Sequence, residues 1–412
     1  MNVALFGLGR VGLPLALYLA HKKHRVTGYD IDRERLIDIN TGKFPFKEAG
    51  AQQVLDETLG KTFFAVDSPA TALQDAQVVI ITVGTPVNAY MNPSFKQVEQ
   101  AILDICQTIK PKTLIILRST LAPGTTERIK RLIERTTNFQ VGRDLYLAFC
   151  PERTAEGKTI EEMPKIPQLI GTLDAQSAAK AQAFFATLSP STLLSDSRSV
   201  EIAKLICNMY RYVNFALANE LMMIADHHHR DIYEVLRLAN TDYIRGGITA
   251  PGFSAGPCLF KDGFFLIQDL PYSELISTSW SINERVPNYL INRLAASGSL
   301  ENKKIAVLGL AFKKNGDDPR DSLAYKVIKI LGNKGAKVKA HDPYIDSLPL
   351  DEVLDQAQII IIATNHDRFK NLGLDKLKAK TGHKSVQICD IWNLFGTGRI
   401  IFDHPAIINH QS

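Results

Sequence analysis

An apolar strand, Asn2-Val3-Ala4-Leu5-Phe6, runs into Gly7-Leu8-Gly9-Arg10-Val11-Gly12 and then into an apolar helix from Leu13 to His21. A second strand, His24 to Tyr29, ends on Asp30. Few folds satisfy this order. The first glycine permits a tight turn, the second lets backbone approach a pyrophosphate, and the third lets helix pack on strand. Helix-terminal N–H groups then bind the phosphates. Asp30 lies about 20 residues beyond the glycines, the place of the acid that binds a ribose 2′-hydroxyl. A carboxylate there disfavours a 2′-phosphate, so these residues predict an α/β domain that binds NAD in preference to NADP. Arg35 is either a further contact near the adenosine or an exposed helix arginine.

The alternation continues through Val78 to Val83, followed by Gly84-Thr85-Pro86, and through Leu114 to Leu117, followed by Arg118-Ser119-Thr120. Ligands of doubly wound sheets sit at the carboxyl ends of strands. Thr85 and Thr120 are therefore placed to touch cofactor or substrate, with turn and capping chemistry as the plainer alternative. A strand from Leu145 to Cys150 leads into Pro151-Glu152-Arg153-Thr154-Ala155-Glu156-Gly157, which carries two carboxylates four apart. From Ser195 to Arg245 there is no Pro or Gly, which predicts one long helix or two in succession. Glu201, Lys204 and Asn208 share one face of it, a spacing that ordinarily marks a solvated stripe. Asn208 argues against that, because Asn is a poor interior helix residue unless its amide has a task. His227-His228-His229 point about 100° apart on a helix and cannot converge on one ion, so no metal site is expected.

The last third repeats the first. Lys304 to Leu310 echoes Asn2 to Leu8, Ala336 to Asp342 echoes Arg25 to Asp30, and Gln358 to Thr364 echoes Gln77 to Val83. Lys313, Lys314, Asp317, Asp318 and Arg320 stand where the glycines stood, which suits a nucleotide other than a dinucleotide. The expected fold class is α/β, two Rossmann-like doubly wound domains joined by a long central helix. The boundaries are 1–194, 195–299 and 300–412. A chain of 412 residues with 45% hydrophobic content supports that many cores. The net charge of +5 is spread along the chain, which suits an anionic small ligand and argues against a nucleic-acid partner. No apolar run approaches the ~18 residues of a membrane helix. Five scattered cysteines without CxxC spacing predict reduced thiols and a cytoplasmic protein. Cys106, Cys207 and Cys389 read as small buried hydrophobes.

Cys258 stands apart, in Gly256-Pro257-Cys258-Leu259-Phe260-Lys261-Asp262. An enzyme that only interconverts alcohol and ketone needs no thiolate, whereas one that carries an aldehyde on to an acid needs a nucleophile to hold it.

The ordered motifs GLGRVGLPLA, VGTP, STLAPGTT, PERTAEG, EIAKLICNMYRYVNFALANE, GPCLFKD and GLAFKKNGDDPRDS resemble those of the UDP-sugar 6-dehydrogenases, the family of UDP-glucose and UDP-N-acetylmannosamine dehydrogenases. The resemblance implies NAD on the first domain, a UDP-sugar on the second, a homodimer formed by the central helix, and four-electron oxidation of the sugar C6 alcohol to a uronate. It makes Cys258 the nucleophile, Lys204 and Asn208 the oxyanion-binding pair, Glu156 and Asp262 the carboxylates for water and protons, and Thr120 the water-positioning hydroxyl. It places Glu152, Arg153, Phe253, Gly256 and Lys313, with Lys204 and Asn208, at the substrate. Gly7, Gly9, Val11, Gly12, Asp30, Arg35, Thr85, Thr120, Lys261 and Arg320 fall near NAD.

One stretch departs from the pattern. Pro251 to Cys258 is one residue shorter than the family's PGxGxGGxC approach, and Pro257 replaces the histidine often found in members acting on N-acetylated sugars. PERTAEGK with Glu161-Glu162 and Pro164 to Gly171 looks more like the N-acetylhexosamine branch. UDP-N-acetylglucosamine and UDP-N-acetylmannosamine are thus favoured over UDP-glucose. Two other readings stand beside this one: a two-electron β-hydroxyacid dehydrogenase, which needs neither Cys258 nor a second α/β domain, and a non-catalytic NAD or UDP-sugar sensor.

Overall fold

The computed structural model describes residues 1–88, 90–188, 191–270 and 272–404. The chain forms two compact units: Met1–Cys207 with Phe264–Leu270, and Asn208–Gly263 with the rest of the C-terminal part. The first boundary between the units falls at Cys207 and Asn208, within the long helix.

The first unit is built on eight strands: β1 (Asn2–Phe6), β2 (Arg25–Tyr29), β3 (Phe63–Val66), β4 (Val78–Ile81), β5 (Leu114–Leu117), β6 (Tyr146–Phe149), β7 (Gln168–Thr172) and β8 (Thr192–Asp196). Their order is β3-β2-β1-β4-β5-β6-β7-β8, parallel except where β7 runs against β6. The order reverses between β1 and β4, the switch point at which such sheets bind ligands. Apolar runs such as Val78-Val79-Ile80-Ile81 are at most 3% exposed because helices cover both faces of a parallel sheet. Each such side chain contributes roughly 1.5–3 kcal/mol on burial. The helix Gly12–His21 is buried along nearly its whole length, as its uniformly apolar sequence requires.

The second unit repeats the design on five strands: β9 (Lys304–Leu308), β10 (Lys337–His341), β11 (Ile359–Ile362), β12 (Val386–Cys389) and β13 (Ile401–His404). Their order is β10-β9-β11-β12-β13, with β13 antiparallel to β12. Both sheets are α/β and Rossmann-like, as expected. The helix Ser197–His227 is continuous and is followed by Ile232–Asn240, so the stretch free of Pro and Gly forms two helices.

Candidate functional site

In the first unit, a groove of about 500 Å³ opens at the switch point, lined among others by Gly7, Gly9, Asp30, Arg35, Thr82 and Gly84. Gly7 has φ of +99°, a left-handed conformation that favours glycine. A Cβ on Gly12 would lie 1.8 Å from the Gly7 carbonyl oxygen, so only glycine lets the helix meet the turn. A Cβ on Gly9 would meet nothing within 4 Å, which leaves the space a pyrophosphate needs. Asp30 accepts from the Leu8 N–H at 2.6 Å and from Arg35 Nη1 at 2.9 Å, and Arg35 also reaches Asp32 at 2.8 Å. These residues fit NAD. Thr82, not foreseen, donates to the Gly7 carbonyl at 2.7 Å and clasps the turn to β4. Thr85 is buried and Thr120 half-buried, each just beyond a strand end.

The loop 151–157 is braced from beneath. Arg118, only 2% exposed, forks onto Glu152 at 2.8 and 3.1 Å and also binds the Cys150 carbonyl and Gln168. The other Glu152 oxygen accepts from the Arg153 and Thr154 N–H groups at 2.7 and 2.8 Å. Burial alone would raise the Glu152 carboxyl, but the Arg118 guanidinium and hydrogen bonds from Thr154 outweigh it and hold it below its ordinary range. Glu152 therefore shapes the loop, and the exposed Arg153 caps its edge by donating to the Pro167 carbonyl. Glu156 pairs with Arg10 of the glycine-rich turn at 3.2 Å, and Arg10 lies 4.8 Å over the Phe46 ring. Across from them Glu48 accepts from the Ile160 N–H, and burial raises its carboxyl to about 7 against opposing backbone N–H groups, with the Glu156 charge adding to the rise.

Glu201 corrects the solvated-stripe reading. It is fully buried and accepts from the Gly124 and Thr126 N–H groups and the Thr126 hydroxyl at 2.6–2.7 Å, capping the helix Thr125–Thr136. One turn apart on the same long helix, Lys204 is half-buried and Asn208 buried.

In the second unit, Asn208 Nδ2 donates to Asp262 Oδ2 at 2.6 Å, and Lys261 lies 3.3 Å from the other oxygen. Asp262 is fully buried. Cys258 is exposed and immediately precedes the helix Leu259–Ile267, its carbonyl accepting from the Asp262 N–H at 3.0 Å. The orphan N–H groups at such a helix start favour negative charge. Burial pushes the thiols of Cys150 and Cys389 up to about 12 and that of Cys106 to about 11, so these three stay protonated. Cys207 is exposed, contrary to expectation, because it lies on an outward face of the long helix.

The approach to Cys258 is fixed by groups that spacing did not reveal. Asn219 clamps both sides of the Gly252 peptide, accepting from its N–H at 3.0 Å and donating to its carbonyl at 3.1 Å, and also donates to Asn283 at 2.9 Å. Phe253 is 5% exposed with its ring edge-on to Trp392, so its side chain anchors the loop. A Cβ on Gly256 would come within 2.5 Å of the Phe312 ring. Lys313 is half-buried in the loop after β9, and the exposed Arg320 forks onto the buried Asp318. Among the described residues no cluster of His, Cys, Asp and Glu could hold a metal ion.

A dinucleotide groove, a second Rossmann-like sheet and an exposed thiol beside a buried Asn–Asp pair define an NAD-dependent dehydrogenase of nucleotide-linked substrates. Comparison with known proteins places it further. Residues 1–189, 198–285 and 306–397 match the NAD binding, central and UDP binding domains of the UDP-glucose/GDP-mannose dehydrogenase family. The chain is 34% identical over 396 residues to UDP-N-acetyl-D-mannosamine dehydrogenase of Pyrococcus horikoshii, covering 94% of each. The solved structure of the P. horikoshii enzyme superposes with a TM-score of 0.87 at 33% identity, covering 93% of this chain and 94% of that one. UDP-N-acetyl-mannosamine dehydrogenase from Staphylococcus aureus superposes at 0.83 with 30% identity, covering 93% of each. The chain belongs to the UDP-glucose/GDP-mannose dehydrogenase family and is an NAD-dependent nucleotide-sugar dehydrogenase.

Proposed function

We propose that this protein oxidises the C6 alcohol of a UDP-N-acetylhexosamine to the uronate through a thioester on Cys258. The observation that carries this reading is the exposed Cys258 at a helix start, six residues beyond a peptide clamped by Asn219. Two NAD, bound in turn, would supply the hydride acceptor for two successive oxidations at C6. A base, directly or through water, takes the hydroxyl proton in the first. The Cys258 thiolate adds to the resulting aldehyde, and the thiohemiacetal carbon gives up the second hydride as its hydroxyl loses a proton. Water then adds to the thioester carbonyl and the thiolate departs, leaving the acid. The family resemblance assigns the handling of that water to Thr120, Glu156 and Asp262, and the stabilisation of the oxyanions of addition and hydrolysis to Lys204 and Asn208. Asn208 is the hydrogen-bond partner of Asp262, which orients both groups. Covalent capture keeps the aldehyde from escaping.

The relatives that act on UDP-N-acetyl-D-mannosamine support that sugar as the first candidate. Incubation with NAD and a panel of UDP-hexoses, with the acidic product identified by mass spectrometry, decides it. Two NADH per uronate supports the four-electron reading, and one per product favours the β-hydroxyacid alternative. Binding without any NADH leaves only a sensor. Cys258→Ser loses overall turnover by roughly a thousandfold or more and stalls after the first oxidation; unchanged acid formation overturns the thioester.

The active form is proposed as a homodimer in the cytoplasm. Ile206, Tyr210, Leu217 and Ile224 form an apolar stripe on the long helix, each 48–72% exposed, which a second copy would cover. Among the described residues no helix is long and apolar enough to cross a membrane.

A further inference from the structure

One fully buried titratable group in the second unit has no part in the chemistry above. His366 follows β11 and is 0% exposed. Its Nδ1 accepts from the Asn315 N–H at 2.8 Å, and its Nε2 lies 3.0 Å from Asp342 Oδ2. A ring nitrogen that accepts carries no proton, so Nε2 is the protonated one and donates to Asp342. Tyr344 and Phe369 hold the ring, their centroids 5.1 and 5.7 Å away. Asn315 has φ of +57°, and its carboxamide exchanges two hydrogen bonds with Asp367, at 2.6 and 3.0 Å. Lys314 binds the same carboxylate at 2.7 Å. The loop after β9 is closed on itself by Phe312 N–H to the Asp318 carbonyl at 2.9 Å and Gly316 N–H to the Lys313 carbonyl at 3.1 Å. The loop is thus held to the sheet by a chain running Asp342, His366, Asn315, Asp367.

We propose that His366 is a positioning residue for UDP: by accepting the Asn315 N–H it fixes the backbone that presents Lys313 to the diphosphate. The inference rests on the reading that the second unit takes UDP. Its logic is asymmetric. The Nε2 hydrogen bond goes to Asp342, whereas the Nδ1 hydrogen bond is the one His366 makes to the loop backbone itself. The two can be separated, because a glutamine amide reaches the Nε2 position and an asparagine oxygen the Nδ1 position.

The test is calorimetric titration of the full-length protein with UDP, and separately with NAD, alongside the KM for the UDP-sugar. His366→Gln keeps the donor to Asp342 and leaves the Asn315 N–H without its acceptor, so UDP binding weakens roughly tenfold. The loss appears in KM for the sugar nucleotide more than in kcat. His366→Asn restores the acceptor and recovers most of that affinity. NAD affinity stays at the wild-type value in both variants. Asp367→Ala, on the exposed side of the chain, leaves the melting temperature near wild type and weakens UDP about threefold. UDP binding unaltered by His366→Gln and Asp367→Ala overturns the proposal, as does equal loss of UDP and NAD binding in step with a lowered melting temperature. A wild-type protein that binds no UDP overturns the reading of the second unit itself.

Discussion

The two sheets of this protein begin alike and end differently. In each, a glycine of positive φ follows the first strand, Gly7 at +99° and Gly309 at +95°, and its Cα packs against a threonine after a neighbouring strand, Thr82 or Thr364. In each, an aspartate at the end of the next strand accepts the N–H two residues after the first strand: Asp30 from Leu8 and Asp342 from Leu310, both at 2.6 Å. The difference lies in what completes the aspartate. Asp30 is finished by Arg35 at the rim of an open groove. Asp342 is finished by the buried His366 and by the Ala311 N–H at 3.0 Å. One scaffold therefore keeps its carboxylate at the edge of a groove, while the other buries it beneath a lysine-bearing loop. A duplicated strand–turn–strand unit places the aspartate, and the residues around it decide how its charge is compensated.

The sharpest way to break the comparison is at Gly12, which has no counterpart in the second unit. Gly12→Val forces a Cβ onto the Gly7 carbonyl oxygen, 1.8 Å away, and is expected to cost about 3 kcal/mol and abolish NAD binding. Thermal melts with NAD and UDP titrations check this; UDP binding in any folded fraction should survive. Next come the aspartates themselves. Asp342→Ala leaves three backbone N–H groups, those of Leu310, Ala311 and Tyr344, and His366 without an acceptor and should cost roughly 2–3 kcal/mol. Asp30→Ala should cost less stability but weaken NAD by tenfold or more and narrow the preference over NADP. Equal stability losses would show that the two carboxylates are equivalent after all.

Two smaller effects follow from pH. Burial alone would raise Asp342, but hydrogen bonds from His366 and the Leu310 and Ala311 N–H groups hold it at about 2. A carboxyl lowered on folding stabilises above its unfolded range near 4 and loses that contribution as pH falls toward 2. Asp342→Asn should therefore flatten the acid limb of the stability profile by about 1–2 kcal/mol. Glu48 has the opposite sign. Burial raises it to about 7, so its ionisation costs stability as pH rises from about 4.5 through 7. Glu48→Gln should gain about 1 kcal/mol at pH 8 relative to pH 5, after allowance for solvent screening. Chemical denaturation at the two pH values checks both.

The glycine-rich turn, Asp30, the second α/β repeat and Cys258 were legible because each lies within a short stretch whose residue types are set by local geometry. What escaped notice were partners distant in sequence. Arg10 meets Glu156 across 146 positions, Asn219 meets Gly252 across 33, and His366 meets Asn315 across 51. Glu201 shows the same limit: its spacing on the helix suggested a solvated face, yet it caps a helix 75 residues away. The packing of Phe253 against Trp392 likewise joins positions far apart in the chain.

By itself, the sequence determined the α/β class, the family and the preference for a dinucleotide with a free 2′-hydroxyl, because turn conformation and strand burial act over a few residues. Tertiary structure decided how each charge is compensated. Glu152 is consumed by Arg118 and Asp342 by His366, while Asp30 stays at its groove. The physical reason is that a buried charge must be compensated, and its compensation is chosen by whatever the fold brings within 3 Å.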